Sequence, residues 1–257
     1  MTGAAPTISD DQLGEMLELI EGSDSVELKV TIPEAEHRSA IGALGMDALE
    51  AHIRQVFFFD TPDLRLYESG LVVRARRTQV KGDDSVVKLR PVVPAELPSE
   101  LRASASFNVE VDAMPGGFVC SGSMKGKLKT GAVREAIRGE RALHKLYSKE
   151  QRELFAERRP DLLELDELSI LGPLFVLKLK FSPEGYGRKL VAEVWIYPDY
   201  SRVLELSTKC APSEAFQVAA ETRAYLVSRG VDLAGEQQPK TRKALEFFSQ
   251  QLKADRD

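Results

Sequence analysis

Residues 25–30, Ser25-Val26-Glu27-Leu28-Lys29-Val30, alternate polar and apolar side chains, the period of a β-strand with one buried face. Val26, Leu28 and Val30 share one side; Ser25, Glu27 and Lys29 share the other. A carboxylate and an ammonium two residues apart face either water or something that needs both. The rest of the chain decides which.

The pattern recurs. Residues 55–78, QVFFFDTPDLRLYESGLVVRARRT, read as strand, turn, strand, with Thr61-Pro62-Asp63 and Ser69-Gly70 as punctuation. Further strands are expected at 85–92 (SVVKLRPV), 106–114 (SFNVEVDAM), 173–182 (PLFVLKLKFS), 189–198 (KLVAEVWIYP) and 201–210 (SRVLELSTKC). Helical spacing marks a segment from Pro33 to Leu44, a helix opened by Ser213 and closed by Gly230, and a last helix over 239–253. Residues 118–170 have helical propensity and an uneven apolar stripe, and are expected to form a helical insertion within a single domain covering residues 1–257. The basic run 125–134 within it reads as a solvated loop.

Bulk properties narrow the function. The chain has 257 residues, 43% hydrophobic and 29% charged, which suits a folded domain with a sizeable core. A net charge of −5 offers no general attraction to nucleic acid or to an anionic membrane, so neither partner is expected, and any basic site must be built locally. Cys120 and Cys210 have no metal-ligand spacing and read as reduced thiols. No apolar run spans a bilayer and no secretory signal is evident at the N-terminus, so the expected location is the cytoplasm. His37, His52 and His144 show no ligand spacing, while Trp195 and the phenylalanines 57 to 59 read as core.

The polar faces of the strands are sorted by sign. Arg74 with Arg76, Lys88 with Arg90, and Lys178 with Lys180 are cationic pairs; Glu110 with Asp112 is acidic, Glu193 stands on a strand with Val191 and Trp195, and Glu205 shares a face with Ser207 and Lys209. Alternation of this kind commonly marks a sheet whose charged face meets water. Here, however, whole strands carry a single sign, and the opposite faces (Val73, Val87, Leu89, Leu177, Leu179, Leu204, Leu206) are apolar with several helices available to cover them. A sheet closed on itself, with helices outside, turns the charged faces into a lumen. Cations crowded there need an anion between them. A polyphosphate fits, since Arg grips its oxygens bidentately and Lys neutralises them as a point charge. A hard divalent metal then reconciles the carboxylates with the phosphates.

The segments SVELKV, FFFDTPDLRLYESGLVVRARRT, SVVKLRP and VLELSTK resemble the CYTH superfamily, the triphosphate tunnel metalloenzymes, over about residues 25–245. The resemblance implies an α+β fold, an eight-stranded antiparallel β-barrel closed into a tunnel with helices outside. It implies Mg2+ or Mn2+ as cofactor, and inorganic tripolyphosphate, thiamine triphosphate or a nucleoside triphosphate as substrate. The basic positions carry over as phosphate ligands: Lys29, Arg74, Arg76, Lys88, Arg90, Lys178, Lys180 and, on the last helix, Lys240. Glu27, Glu193 and Glu205 carry over as metal ligands, with Glu27 and Lys29 closest to the chemistry. Two positions depart from the family pattern. Its opening Glu-x-Glu-x-Lys reads Ser25-Val26-Glu27-Leu28-Lys29, and its late Glu-x-Glu reads Glu205-Leu206-Ser207. The resemblance gives Glu110 and Asp112 no role. A metal-dependent triphosphatase is the leading expectation. A binding protein for polyphosphate or nucleotide with a degenerate metal site and a class IV-type adenylate cyclase are the alternatives.

Overall fold

The computed structural model describes residues 10–80, 82–233 and 240–254. Its strands are β1 (Ser25–Ile32), β2 (His52–Asp60), β3 (Leu71–Thr78), β4 (Asp83–Leu89), β5 (Phe107–Met114), β6 (Gly117–Leu128), β7 (Ser169–Phe181), β8 (Leu190–Ile196) and β9 (Arg202–Cys210). Its helices are α1 (Asp10–Glu21), α2 (His37–Ala43), α3 (Arg65–Glu68), α4 (Ser99–Ala103), α5 (Ala132–Ile137), α6 (Lys149–Arg158), α7 (Ala215–Ser228) and α8 (Lys240–Ala254). The strands close into one barrel in the order β1-β5-β6-β4-β3-β2-β7-β8-β9.

The closed, helix-clad barrel is as expected; its strand count and direction are not. Among the described residues there are nine strands rather than eight, and β1 runs parallel to β5, with 25–28 beside 110–113. The two corrections have one cause. Strict alternation of direction around a closed ring requires an even number of strands, so a ninth forces a parallel contact. That ninth strand is β6, which belongs to the segment assigned above to the helical insertion, and Lys125 lies on it rather than in a solvated loop. Its glycines and serines give β6 little β-propensity, so only its partners identify it. A Cβ on Gly122 would run into the Phe107 ring on neighbouring β5, and one on Gly126 would meet Gln151 of α6. The helical part of the insertion is confined to about residues 132–167.

That helical part packs on the outside of the barrel. Val133, Leu146, Leu154 and Phe155 bury the outer faces of β3, β4 and β5 at Val73, Val87, Val109 and Val111. The fully buried Gln151 amide donates to the carbonyls of Ser85 (3.2 Å) and Met124 (3.0 Å), fastening α6 across β4 and β6. On the other side, α2 and α7 cover the outer apolar residues of β1, β7, β8 and β9 through Ala40, Leu44, Tyr225 and Leu226. The inside of the barrel is divided. Val56, Phe58, Leu174, Val176 and Trp195 point inward and meet Ala244, Leu245 and Phe248 of α8, so this helix closes part of the lumen with an apolar plug. The charged residues occupy much of the remaining inner face, interspersed with Val72, Val86, Ser121, Ser123 and Ser207. Among the described residues no helix is long and apolar enough to cross a membrane.

Candidate active site in the barrel lumen

Alternation along each strand delivers the predicted charged residues to the lumen. Lys29, Arg74, Lys88, Arg90, Glu205 and Lys240 line one cleft of about 1060 Å³, together with Asp112. Arg76, Lys178, Glu27 and Glu193 lie on the same inner face, in ion pairs described below. Lys180 is exposed near the end of β7 and makes no ion pair among the described residues, so the structure does not bring it into the cluster.

Asp112 is the hub. Its side chain is 1% exposed and lies 2.7 Å from Lys29, 2.7 Å from Arg90 and 3.8 Å from Lys88. Burial opposes ionisation of this carboxyl, but Lys29, Lys88 and Arg90 outweigh it and hold the group far below the ordinary carboxylate range. Lys29 also reaches Glu27 at 3.2 Å. Burial works against the ammonium of Lys29, yet Asp112 and Glu27 raise its pKa and keep it charged.

A second ionic group stands against the plug. Lys240, in the first turn of α8, places its Nζ 2.7 Å from Glu205, 3.3 Å from Glu193 and 4.7 Å from the centroid of the Trp195 ring. Glu193 also accepts from Lys178 at 2.7 Å and from the Trp195 indole at 3.2 Å. Burial disfavours the charge on Glu193, and Lys240 and Lys178 reverse that preference, holding the carboxyl well below its ordinary value.

Not every cation has such a partner. Arg76 bonds Asp84 at 2.8 Å, but neither Arg54 nor Arg74 has a carboxylate within ion-pair distance, and the Nε of each is buried with no hydrogen-bond partner among the described residues. Burial and the neighbouring Arg76 push Arg74 down to about 9. Burial likewise pushes Lys88 down to about 8; Asp112 resists this, while Arg90 and Lys29 add to it. Sequence reasoning missed Arg54 and Asp84, and it listed Asp112 without a role. The signal for Arg54 was its place two residues before inward Val56.

The Lys88 shift has a measurable consequence. An anion binds the ammonium and not the amine, so affinity requires protonated Lys88. Tripolyphosphate affinity is therefore expected to weaken as pH rises above about 8, with a limiting slope of about tenfold per pH unit. In Lys88→Arg this component disappears, because guanidinium stays charged. Calorimetric titrations of both proteins from pH 6.5 to 9.5 check this, the variant controlling for titration of the ligand.

The carboxylates separate into two groups in their suitability for a metal. Glu193 and Glu205 are bridged by Lys240, which occupies the position between them. Glu27, Glu110 and Asp112 each present an oxygen within 4.8 Å of the other two, and they too carry cationic partners, Lys29 on Glu27 and Asp112, Arg90 on Asp112 and Lys209 on Glu110. The three carboxylates are hard oxygen donors that fit Mg2+ or Mn2+. The two serines that interrupt the family motifs face remaining carboxylates: Ser207 donates to Glu27 at 2.9 Å, and Ser25 makes a longer contact of 3.4 Å to Glu110.

No family model matches the chain, and no curated protein matches it in sequence. Solved structures do match. HpAC1 from Hippeastrum, described as a candidate adenylyl cyclase with a dominant triphosphatase activity, superposes with a TM-score of 0.60 at 16% identity, over 82% of this chain and 91% of that one. A candidate adenylate cyclase from Bacillus halodurans gives 0.59 at 13% identity, over 86% and 97%. Likeness at these identities establishes the fold alone, a closed barrel clad with helices.

Proposed function

We propose that the lumen binds a linear triphosphate and hydrolyses its terminal phosphoanhydride bond with the help of Mg2+ or Mn2+. The observation that carries this reading is Arg74, half-buried, whose buried Nε has no hydrogen-bond partner and which has no carboxylate within ion-pair distance among the described residues, lining a cleft with Lys29, Lys88 and Arg90. A desolvated cation left unpaired is unfavourable unless an anion completes it. A single phosphate would satisfy one or two such groups; a chain of phosphates satisfies a row of them. The triphosphatase activity ascribed to HpAC1, which shares the fold, supports the same substrate class.

In this reading Arg74, Lys88 and Arg90 grip the phosphate chain, with Arg54 and Arg76 extending the cationic wall. They neutralise charge that builds on the leaving diphosphate as water attacks the terminal phosphorus. Lys29, fixed between Glu27 and Asp112, is placed to orient that water or the terminal phosphate. The metal, when bound among carboxylates that include Glu27, supplies charge neutralisation of phosphoryl oxygens and a more acidic water.

A second reading has its own observation. The cluster carboxylates already have ammonium or guanidinium partners, and Ser25 and Ser207 stand where the family has carboxylates, which favours binding without efficient hydrolysis. One experiment separates the possibilities. Phosphate release is measured from tripolyphosphate, thiamine triphosphate and ATP, with Mg2+, with Mn2+ and with a chelator. Metal-dependent release that disappears in Arg74→Met is the expected result. Tight binding without release supports the binding protein, and formation of cyclic AMP with pyrophosphate from ATP replaces hydrolase with cyclase.

A further inference from the structure

The geometry points to a divalent-cation site on the wall formed by β1, β5 and β6, held by Glu27, Glu110 and Asp112 with the hydroxyl of Ser121, in place of the Glu27, Glu193 and Glu205 set implied by the sequence resemblance. This deepens the metal-assisted triphosphate reading and rests on it.

Independent observations converge here. The carboxylate oxygens of Glu27, Glu110 and Asp112 lie within 4.8 Å of one another, a spacing a single ion can draw together. Ser121 is directly opposite Glu110 in the β5–β6 ladder, so its side chain is on the same inner face. It is 1% exposed and its Oγ has no hydrogen-bond partner among the described residues. A buried hydroxyl that makes no bond is costly, and coordination of a cation beside Glu110 would satisfy it. Both carboxylate sets are bridged by an ammonium, Glu193 and Glu205 by Lys240 and Glu27 and Asp112 by Lys29; what distinguishes the second set is the third carboxylate and the orphaned Ser121 hydroxyl beside it.

The parallel contact of β1 with β5 makes the site possible. It sets Glu27 beside Asp112 and Ser25 beside Glu110, so two carboxylates of β5 replace those missing from β1 and β9. Lys29 now pairs with Glu27 and Asp112, Arg90 and Lys88 also lie against Asp112, and Lys209 pairs with Glu110. A dication there competes with these cations and releases them toward the lumen. Metal and tripolyphosphate are therefore expected to bind with positive cooperativity, each raising affinity for the other by the same factor.

The test uses Mn2+ alone, with no phosphate present, and the full chain. Mn2+ uptake is followed by calorimetry and by loss of the free-ion electron paramagnetic resonance signal. Wild type is expected to bind Mn2+, and Glu110→Gln to weaken it by about 10- to 100-fold or more, since losing a ligand costs at least what losing a ligand's support does. Glu205→Gln and Glu193→Gln are expected to change Mn2+ affinity by less than about threefold, well below that range. Ser121→Cys is expected to acquire an ultraviolet thiolate-to-cadmium band on addition of Cd2+, because a thiolate prefers a softer metal. Circular dichroism confirms that each variant is folded. Loss of Mn2+ in Glu193→Gln or Glu205→Gln with retention in Glu110→Gln overturns the assignment. Tripolyphosphate binding without any Mn2+ uptake overturns the metal site but leaves the tunnel reading intact. Mn2+ uptake without tripolyphosphate binding does the reverse.

Discussion

Arg74→Met is expected to abolish measurable tripolyphosphate binding while making the unliganded protein more stable. Truncating one partner of a buried, hydrogen-bonded charge pair costs about 2–5 kcal/mol, or roughly 30-fold and upward in affinity. Without ligand the arithmetic reverses. Arg74 is half-buried, its buried Nε has no partner among the described residues, and burial together with Arg76 disfavours its charge. Methionine keeps most of the volume and removes the charge, so a gain on the order of 1–4 kcal/mol is expected, the range seen when buried charges give way to packed apolar side chains. Calorimetric titration together with urea denaturation tests both halves. Arg76→Met is the control. Arg76 is already paired with Asp84, so its removal strands a carboxylate and is expected to destabilise the fold. A stability gain in Arg76→Met, or none in Arg74→Met, would contradict this division of roles.

Lys240→Met is expected to be strongly destabilising. It leaves Glu205 without its 2.7 Å partner and Glu193 with Lys178 alone, and it removes a tie between α8 and the barrel. Breaking a buried pair from one side costs about 3–5 kcal/mol. The pH dependence follows from the sign of the Glu193 shift. Its folded pKa lies well below the ordinary 4.5, so its contribution is present above 4.5 and is lost as pH falls through the folded value. The stability gap between wild type and Lys240→Met should therefore be widest near pH 7 and narrow below about 4.5, as a carboxyl that has lost its partner takes up a proton. Urea denaturation at pH 7 and pH 4 measures it. The double variant Lys240→Met/Glu193→Gln is expected to lose less than the sum of the single losses, because the residues interact directly.

Period-two alternation exposed most of the barrel before any coordinates, because a strand buried on one face writes its pleat into the chain. It assigned Lys29, Arg74, Lys88 and Arg90 to inner faces, and the structure brings them together in one cleft. It failed at β6, where Gly122 and Gly126 are required by contact with Phe107 and Gln151. Those partners are distant in sequence and leave no local signature. With β6 unseen, the expected barrel had eight strands, all antiparallel, and the parallel β1–β5 contact had no place in it.

The sequence by itself therefore indicated, for eight of the nine strands, the two faces and the charges that one of them carries, and that a closed sheet would gather those charges inside. Alternation and composition are local properties, readable along one strand at a time. Only the tertiary structure decided which charges meet. It set Asp112 among Lys29, Lys88 and Arg90, brought Lys240 from the last helix between Glu193 and Glu205, and left Arg74 without a carboxylate. Those pairings depend on strand order, register and the seating of α8, which arise from contacts between segments far apart in the chain.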